Sequence, residues 1–225
     1  LRRKIHKLVS LKAKKHNLDI PESSDNSLSN TIIKLNSINN RIGAYLNDVL
    51  NCSPELYQLL SSKHIINLAK KILQIKNETT VSNNFRLRVQ IPGRDEISNL
   101  PWHQDSHYND LYIKNNSVAI WTSISDIDYE TGPVVFKLGS HVQGQLPKVF
   151  YKKTNGNKVP TIEERYFNDN RFKEYSIPTK SGDITLIDMN IIHRSGNNSS
   201  INKVKFSAQG RYHNADIENF LAQYN

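Results

Sequence analysis

The sequence predicts an α+β fold built around a β-barrel or jelly-roll core, and two patterns support this prediction. Up to about residue 76, apolar residues recur at the spacing of amphipathic helices. From about residue 83, short segments alternate apolar and polar residues with the period of two of a β-strand, and turn-forming residues separate them. Helices followed by many short strands are typical of an α+β domain whose core is an antiparallel sheet.

The helical part opens with a basic amphipathic stretch around Leu8 and Leu11, which ends before the turn-forming residues 21–27. Further apolar stripes follow at helical spacing (Ile32, Ile33, Leu35, Ile38, Ile42 and Leu46; then Ile65, Ile66, Ala69, Ile72 and Leu73). Between them, Ser53 and Pro54 mark a helix start, because proline is favoured in the first helical turn. We therefore expect residues 1–80 to form a mainly helical flank.

The strand-like segments fall within residues 81–215, which we expect to form the core. In the first of them, residues 85–91, large apolar residues alternate with two arginines and a glutamine, which gives one apolar and one polar face. The others are residues 118–124, 133–137, 184–188 and 203–212. Residues 142–178 are rich in lysine and asparagine, with one strand expected near Tyr175, and we predict an inserted loop or lid there. The 225 residues are enough for a single domain, 1–225.

The composition excludes several classes of protein. The single cysteine, Cys52, excludes an intramolecular disulfide and a cysteine-based zinc site. No apolar run approaches the ~20 residues of a membrane span, and no apolar signal segment follows the basic first residues, so we expect a cytoplasmic protein without a membrane span. The formal charge of +9 is compatible with nucleic-acid binding, a solvated basic surface or anionic substrates. We do not expect nucleic-acid binding, because no helix-turn-helix or RNA-binding aromatic motif accompanies the lysines.

His103, Asp105 and His193 are the strongest candidates for chemistry. Two imidazoles and one carboxylate form the ligand set that binds non-heme Fe(II) on one face and leaves its other positions open. A His-x-Asp step suits a β-strand, where residues two apart point to the same side and can reach one metal. The alternative is a surface strand pair without a metal. The histidines His6, His16, His64 and His213 lack metal partners at a recognisable spacing, and we expect them at the surface.

The motifs around this triad occur in a fixed order. They are residues 102–105, 121–128, 130–133, 139–141, 182–183, 193–195 with Asn198 and Ser200, and 205–212. This ordered set resembles the phytanoyl-CoA dioxygenase family of Fe(II)- and 2-oxoglutarate-dependent oxygenases over roughly residues 35–215. The resemblance implies a double-stranded β-helix with flanking helices, and an enzyme that couples oxidative decarboxylation of 2-oxoglutarate to hydroxylation of a substrate. It also implies that His103, Asp105 and His193 bind iron, beside sites for 2-oxoglutarate and O2.

The sequence departs from this family at the co-substrate position. The family places a basic residue, usually arginine, some eleven residues after the second histidine, where it pairs with the distal carboxylate of 2-oxoglutarate. Lys205 takes this place with one residue inserted, and Lys203 and Arg211 compete for it. Lysine supplies the charge but not the planar two-pronged fork of arginine. Ser195, which the resemblance implies as a partner of the same carboxylate, is alternatively a turn serine.

Other candidate contacts are assigned from strand faces and from proximity to the motif. Gln90 lies on the polar face of the first strand, where it could contact the co-substrate, or be merely solvated. Arg88 on that face could bind an anionic substrate, and His107, four residues after His103, could contact the substrate or lie at the surface. Trp121 is expected to pack inside the barrel mouth. Arg211 shares a strand face with Lys205, and its alternative role is an ion pair at the barrel rim. These residues are our candidates for contacts with a small substrate, anionic or rich in oxygen.

The retained carboxylate of Asp105 favours hydroxylation over halogenation, because halogenating enzymes of this chemistry have a small residue in its place. Two other functions stay open. One is a cupin-like metal enzyme that does not use 2-oxoglutarate, a hypothesis that the lysine at position 205 keeps open. The other is a basic binding module on a jelly-roll scaffold.

Overall fold

The first part of the chain is helical in the computed structural model, which describes residues 1–76, 80–108 and 116–216. Its helices are α1 (Arg2–Lys15), α2 (Asp25–Ile38), α3 (Ile42–Asn51), α4 (Pro54–Leu60) and α5 (Lys63–Leu73). Ser24 caps α2 by accepting a hydrogen bond from the Ser27 amide, and Pro54 is the first residue of α4, as the sequence predicted. None of the helices in these ranges has the length and apolar character needed to cross a membrane.

Nine strands follow in the described ranges, in two sheets and a hairpin. The main sheet contains β1 (Thr80–Gln90), β2 (Ser117–Ser123), β7 (Ile184–Asp188) and β9 (Lys205–Asn214), in the order β1-β9-β2-β7 with all neighbours antiparallel. The second sheet contains β3 (Val135–Lys137), β6 (Glu174–Ser176) and β8 (His193–Arg194), in the order β6-β3-β8. Strands β4 (Val149–Lys152) and β5 (Lys158–Thr161) form the hairpin. Two short α-helices, α6 (Asp95–Ser98) and α7 (Glu164–Phe167), and two 3-10 turns (Asp105–Tyr108 and Ser140–Gln143) complete the described elements.

The segment 142–178 has more regular structure than the loop or lid that we predicted. It contains the β4–β5 hairpin and α7 in addition to the strand expected near Tyr175. Strand β4 exposes most of its side chains, including Phe150 and Tyr151, and therefore lacks the alternation of apolar and polar residues that marks a half-buried strand.

The two faces of the main sheet have different roles. Helices α3, α4 and α5 pack on one face, and α1 and α2 pack on α3. The sheet contributes Leu87, Val89, Ile120, Phe206 and Tyr212 to this apolar core. On the opposite face, the alternate residues Arg88, Gln90, Trp121, Lys205 and Ser207 line a pocket together with residues of the second sheet. The polar face of β1 therefore looks into the space between the sheets, as the strand period of two requires.

Helix α3 also closes the free edge of β1. The side chain of Asn51 accepts a hydrogen bond from the Leu87 amide (2.8 Å) and donates one to the Leu87 carbonyl (2.9 Å). Asn47 accepts from the Val89 amide (3.1 Å). These two asparagines supply the partners that a further strand would supply, because unpaired amides at a sheet edge otherwise recruit other chains.

One histidine departs from its predicted place. His213 was expected at the surface, but it is fully buried at the end of β9. Its Nδ1 lies 2.7 Å from the hydroxyl oxygen of Ser117, and its Nε2 lies 3.2 Å from the side-chain oxygen of Asn83. The sequence gives no sign of this burial, because it depends on the pairing of β9 with β1 and β2.

Candidate metal centre

His103 and His193 come together as a β-bridge between two chain segments. The His103 amide donates to the His193 carbonyl (2.9 Å), the reverse hydrogen bond is 3.0 Å, and the ring centroids are 4.2 Å apart. His193 belongs to β8, where it pairs with Phe136 of β3. The second sheet thus fixes the position of both rings.

Each of the two rings has one nitrogen committed to the backbone. His103 Nδ1 lies 2.7 Å from the Pro101 carbonyl oxygen, and His193 Nδ1 lies 2.9 Å from that of Ile191. A carbonyl oxygen only accepts hydrogen bonds, so in a neutral ring the proton is on Nδ1 and Nε2 keeps its lone pair. This is the arrangement of metal-binding histidines, whose second nitrogen is held by an outer partner.

Asp105 reaches the same place from a 3-10 turn, not from a strand. The prediction that His103 and Asp105 lie two apart on a strand was wrong, because the chain turns at Asp105, where the Ser106 amide donates to the Met189 carbonyl (2.9 Å). The turn nevertheless keeps the carboxylate beside the rings. One ligand atom from each of His103, Asp105 and His193 lies within 4.8 Å of the others, and all three residues are buried. Two neutral imidazole nitrogens and one carboxylate oxygen fit Fe(II).

Charges around the carboxylate keep it ionised. The guanidinium of Arg211 donates a hydrogen bond to Asp105 Oδ1, and both side chains are buried. Burial alone would raise the pKa of Asp105, but Arg211 and the two imidazoles outweigh it and hold that pKa below its usual value. Burial, with the neighbouring His193, lowers the pKa of His103 well below its usual value. A charged carboxylate and a neutral imidazole are the forms that bind a metal.

Gln104, between the two ligands in sequence, is completely buried and fixes the turn. Its amide nitrogen donates to the carbonyls of Gly144 (2.9 Å) and Asn190 (2.6 Å), and its oxygen accepts from the Leu146 amide (2.8 Å). Gln104 was not among the residues predicted from the sequence. The available signal was its place between the two ligands. A side chain there points away from the metal and can hold the turn from behind.

The two candidate histidine ligands line a pocket between the two sheets. Of the residues proposed from the sequence, those lining it are Arg88, Gln90, His103, Trp121, His193, Ser195 and Lys205. Trp121, Val134 and Ile187 supply apolar wall. The polar lining comes mainly from β1 and β9, whose facing residues include the register pairs Gln90–Lys205 and Arg88–Ser207.

Lys205 Nζ is buried where two loops cross. It donates to the carbonyl oxygens of Gly132 (2.5 Å) and Gly196 (3.4 Å). Both glycines are needed for the crossing, because a Cβ atom at Gly132 would lie 2.2 Å from the Asn197 carbonyl oxygen and one at Gly196 would lie 2.1 Å from that of Pro133. The loop that follows His193 therefore also positions Lys205.

The other two residues proposed for the co-substrate have structural contacts as well. Ser195 accepts a hydrogen bond from the Leu100 amide (3.0 Å), which links the loop after β8 to the loop before His103. Gln90 donates from its side chain to that of Asn99. Lys203, which competed with Lys205 in the sequence, instead pairs with Asp128 (2.7 Å) and Glu130 (3.0 Å) and does not line the pocket.

Two residues proposed to contact substrate lie outside the lining of this pocket. His107 is buried, with Nε2 2.8 Å from the Leu146 carbonyl oxygen, and burial lowers its pKa. Arg211 makes a buried ion pair with Asp105, close to the alternative that the sequence offered for it, although we expected that pair at the barrel rim. Both contacts support the residues around the metal centre.

Known proteins provide a comparison for this geometry. Residues 40–203 match the family model described as phytanoyl-CoA dioxygenase (PhyH), and no curated protein sequence matches the chain. Similar solved structures include EvdO2 from Micromonospora carbonacea var. aurantiaca, with 20% identity, a TM-score of 0.56, and coverage of 74% of this chain and 68% of EvdO2. EctD from S. alaskensis, solved with 2-oxoglutarate and 5-hydroxyectoine, has 17% identity, a TM-score of 0.55, and coverage of 73% and 54%.

A third similar structure is SnoN, described as a non-heme alpha ketoglutarate dependent epimerase from nogalamycin biosynthesis. It has 15% identity and a TM-score of 0.53, and the match covers 72% of this chain and 57% of SnoN. The chain also spans only 32% of the length of EvdMO1. At these identities the likeness concerns the fold, and it confirms the predicted α+β jelly roll.

Proposed function

Because the chain belongs to the phytanoyl-CoA dioxygenase family, we propose that it is a non-heme Fe(II)- and 2-oxoglutarate-dependent oxygenase that hydroxylates a small molecule. The observation that carries this proposal is the convergence of His103, Asp105 and His193 within 4.8 Å beside a pocket that also contains a buried lysine. EvdO2 and EctD, which have been solved with 2-oxoglutarate, are similar in fold.

The metal would be held by Nε2 of the two histidines and by the carboxylate of Asp105. Both rings are already oriented by their Nδ1–H hydrogen bonds, and Arg211 holds the carboxylate, so little rearrangement is needed on binding. With Fe(II) bound, 2-oxoglutarate and O2 supply the oxidation, in which 2-oxoglutarate is decarboxylated to succinate and the substrate is hydroxylated.

The remaining lining residues would bind 2-oxoglutarate and exclude water. We assign its distal carboxylate to the ammonium of Lys205, with the hydroxyl of Ser195 as a second donor and Gln90 closer to the metal-bound end. A charge-assisted hydrogen bond from a buried ammonium is strong because the surroundings are poorly solvated. The apolar side chains of Trp121, Val134 and Ile187 keep the reacting part of the pocket dry.

Anaerobic addition of Fe(II) and 2-oxoglutarate tests this function. Chelation of the keto acid gives a weak visible charge-transfer band, which we expect from the wild-type protein. Asp105→Ala should weaken Fe(II) binding by more than about 100-fold and abolish both the band and succinate formation. The matched control is Asp126→Ala, which loses an exposed ion pair with Lys180 and a hydrogen bond from the Ser181 amide, at a residue that does not line the metal pocket.

Two results would point to the competing functions. Fe(II) binding without any band in a fully metallated sample indicates a metal enzyme of this fold that does not use 2-oxoglutarate. Binding of an anionic polymer that falls steeply with salt and survives Asp105→Ala indicates a basic binding module. A library of small molecules, scored by succinate release and by product mass, then separates hydroxylation from other outcomes such as epimerisation.

A further inference from the structure

A second and larger space adjoins the metal pocket. It is a groove of about 620 Å³ bounded by α3, the outer side of β1 and the β4–β5 hairpin. Arg88 and Leu100 line both the groove and the metal pocket, so a bound molecule could extend from one into the other. We call this space the basic groove.

The basic groove gathers positive charge. Five cationic side chains line it (Arg41, Arg86, Arg88, Arg94 and Lys153), and no aspartate or glutamate is present among the described residues that line it. Arg86 and Arg88 lie two apart on β1 and therefore project from the same face of the strand. Like charges held this close repel one another, which a bound anion would offset.

Two of these cations are partly or fully removed from water. Arg88 is partly buried, and its guanidinium makes no hydrogen bond or ion pair with any residue that the structure describes. Lys153 is buried, and burial, together with Arg88, lowers its pKa to about 8. A cation loses hydration on burial, and an anionic ligand would restore favourable interactions.

The first turn of α3 adds a further donor group. Gly43 and Ala44 of this turn line the groove, and the turn has neither a capping side chain nor an acidic residue. The N-terminus of a helix carries a partial positive charge and unpaired amides, which bind anions. The side chains of Asn47 and Asn51, which also line the groove, are bonded to the backbone of β1 and do not take the place of an anion at these amides.

Building on the oxygenase function proposed above, we propose that the basic groove binds the anionic part of the substrate, a phosphate-type group with two or more negative charges. Five cations and a helix N-terminus exceed what a single carboxylate would neutralise. The part of the substrate to be oxidised would then pass Arg88 and Leu100 into the metal pocket. The groove, and not the metal centre, would select the substrate class.

A calorimetric titration of the metal-free protein with inorganic pyrophosphate, at low ionic strength, tests whether the groove binds anions. Removing the metal prevents its chelation by the probe. The informative variant is Ala44→Glu, which places an acid in the exposed first turn of α3. We expect about tenfold weaker pyrophosphate binding, the effect of about 1.4 kcal/mol of repulsion. The variant should remain folded, because an acid at a helix N-terminus is favourable for stability.

Matched controls separate the groove from the general charge of the protein. Asn67→Glu adds the same charge at an exposed position of α5, away from the groove, and should bind pyrophosphate nearly as wild type does. Lys153→Gln should weaken binding, whereas Lys152→Gln, at the neighbouring exposed position of β4, should not. Absence of pyrophosphate binding to the wild type, or equal effects of Ala44→Glu and Asn67→Glu, would overturn the proposal.

The outcome can be told apart from that of the oxygenase function. Ala44→Glu should give the same Fe(II)–2-oxoglutarate band as wild type, since residue 44 does not line the metal pocket. A band without pyrophosphate binding overturns the groove alone, and pyrophosphate binding without a band overturns the oxygenase function alone. In the succinate assay, phosphorylated compounds should release more succinate than their dephosphorylated counterparts. The reverse order would also overturn the proposal for the groove.

Discussion

Lys205 combines two roles that a single side chain can fill because its ammonium is compact. Its Nζ donates to the carbonyls of Gly132 and Gly196, and it lines the pocket beside His103 and His193. A guanidinium fork is wider and planar, so an arginine here would have to adopt a different arrangement against the same two carbonyls. The departure from the family's usual arginine is therefore consistent with how tightly the two loops cross.

Replacing this lysine tests its assignment to the co-substrate. Lys205→Met keeps the length of the side chain and removes the charge, and we expect the KM for 2-oxoglutarate to rise about 10- to 100-fold, the effect of one charge-assisted hydrogen bond. The kcat at saturating 2-oxoglutarate should change much less. The control is Lys203→Met, which loses surface ion pairs with Asp128 and Glu130. Equal changes in KM for the two variants would contradict the assignment.

Residue types and order were enough to select His103, Asp105 and His193 from the sequence, and the structure brings the three together. Their supporting contacts were not predictable in the same way. The ion pair of Asp105 with Arg211 joins residues 106 positions apart, and the partners of Gln104 lie up to 86 positions away. Such contacts depend on which strands become neighbours, and one sequence does not contain that information.

Among the elements, most of the strands were predicted, including the short β3 and β6, but the β4–β5 hairpin was not. Strand β7 has the predicted bounds, residues 184–188, and β2 and β9 lie close to theirs, whereas β1 begins at Thr80, well before the predicted residue 85. The β4–β5 hairpin was missed because neither strand has a buried apolar face to produce an alternating pattern. The turn at Asp105 was missed because its hydrogen bonds connect it to residues from the distant segment around Met189.

The crossing of the loops that contain Gly132 and Gly196 can be tested by its effect on the free energy of unfolding. Gly132→Ala should destabilise the protein at least about 2 kcal/mol more than Gly156→Ala, because its new Cβ would overlap a fixed carbonyl. Gly156 has a similar positive φ (+86° against +76° at Gly132) but nothing within 4 Å of the Cβ position, so it isolates the backbone strain. Urea unfolding measures both losses, and similar values would show that the crossing opens easily.

For the whole molecule, buried neutral histidines predict a loss of stability in acid. Burial lowers the pKa of His103, His107 and His213, and that of His213 falls to about 4. Above about pH 6.5 an imidazole such as that of His213 is neutral in the folded and the unfolded chain alike. Below that pH the unfolded chain binds a proton that the folded chain excludes until about pH 4, so the free energy of unfolding falls as the pH falls.

His213 can be separated from the other two histidines because its ring contacts Ser117 and Asn83 at the end of β9. Between about pH 7.5 and pH 5, we expect it to account for a loss of about 2 kcal/mol in the free energy of unfolding of the metal-free protein. His213→Gln should reduce the pH-dependent loss by this amount, whatever its effect on stability at pH 7.5. His64→Gln, at an exposed position, is the control. An unchanged pH dependence in His213→Gln would show that the folded protein protonates this ring as readily as the unfolded chain does.

The two asparagines of α3 have a consequence for how this molecule opens. The amides of Leu87 and Val89 are bonded to side chains of a helix, so deuterium can replace their hydrogens once α3 moves away, even while β1 stays paired with β9. Exchange at these two amides therefore reports helix undocking, whereas exchange at amides facing β9 reports opening of the sheet. Since β1 also lines the metal pocket and the basic groove, these two amides are natural internal probes of events in either space.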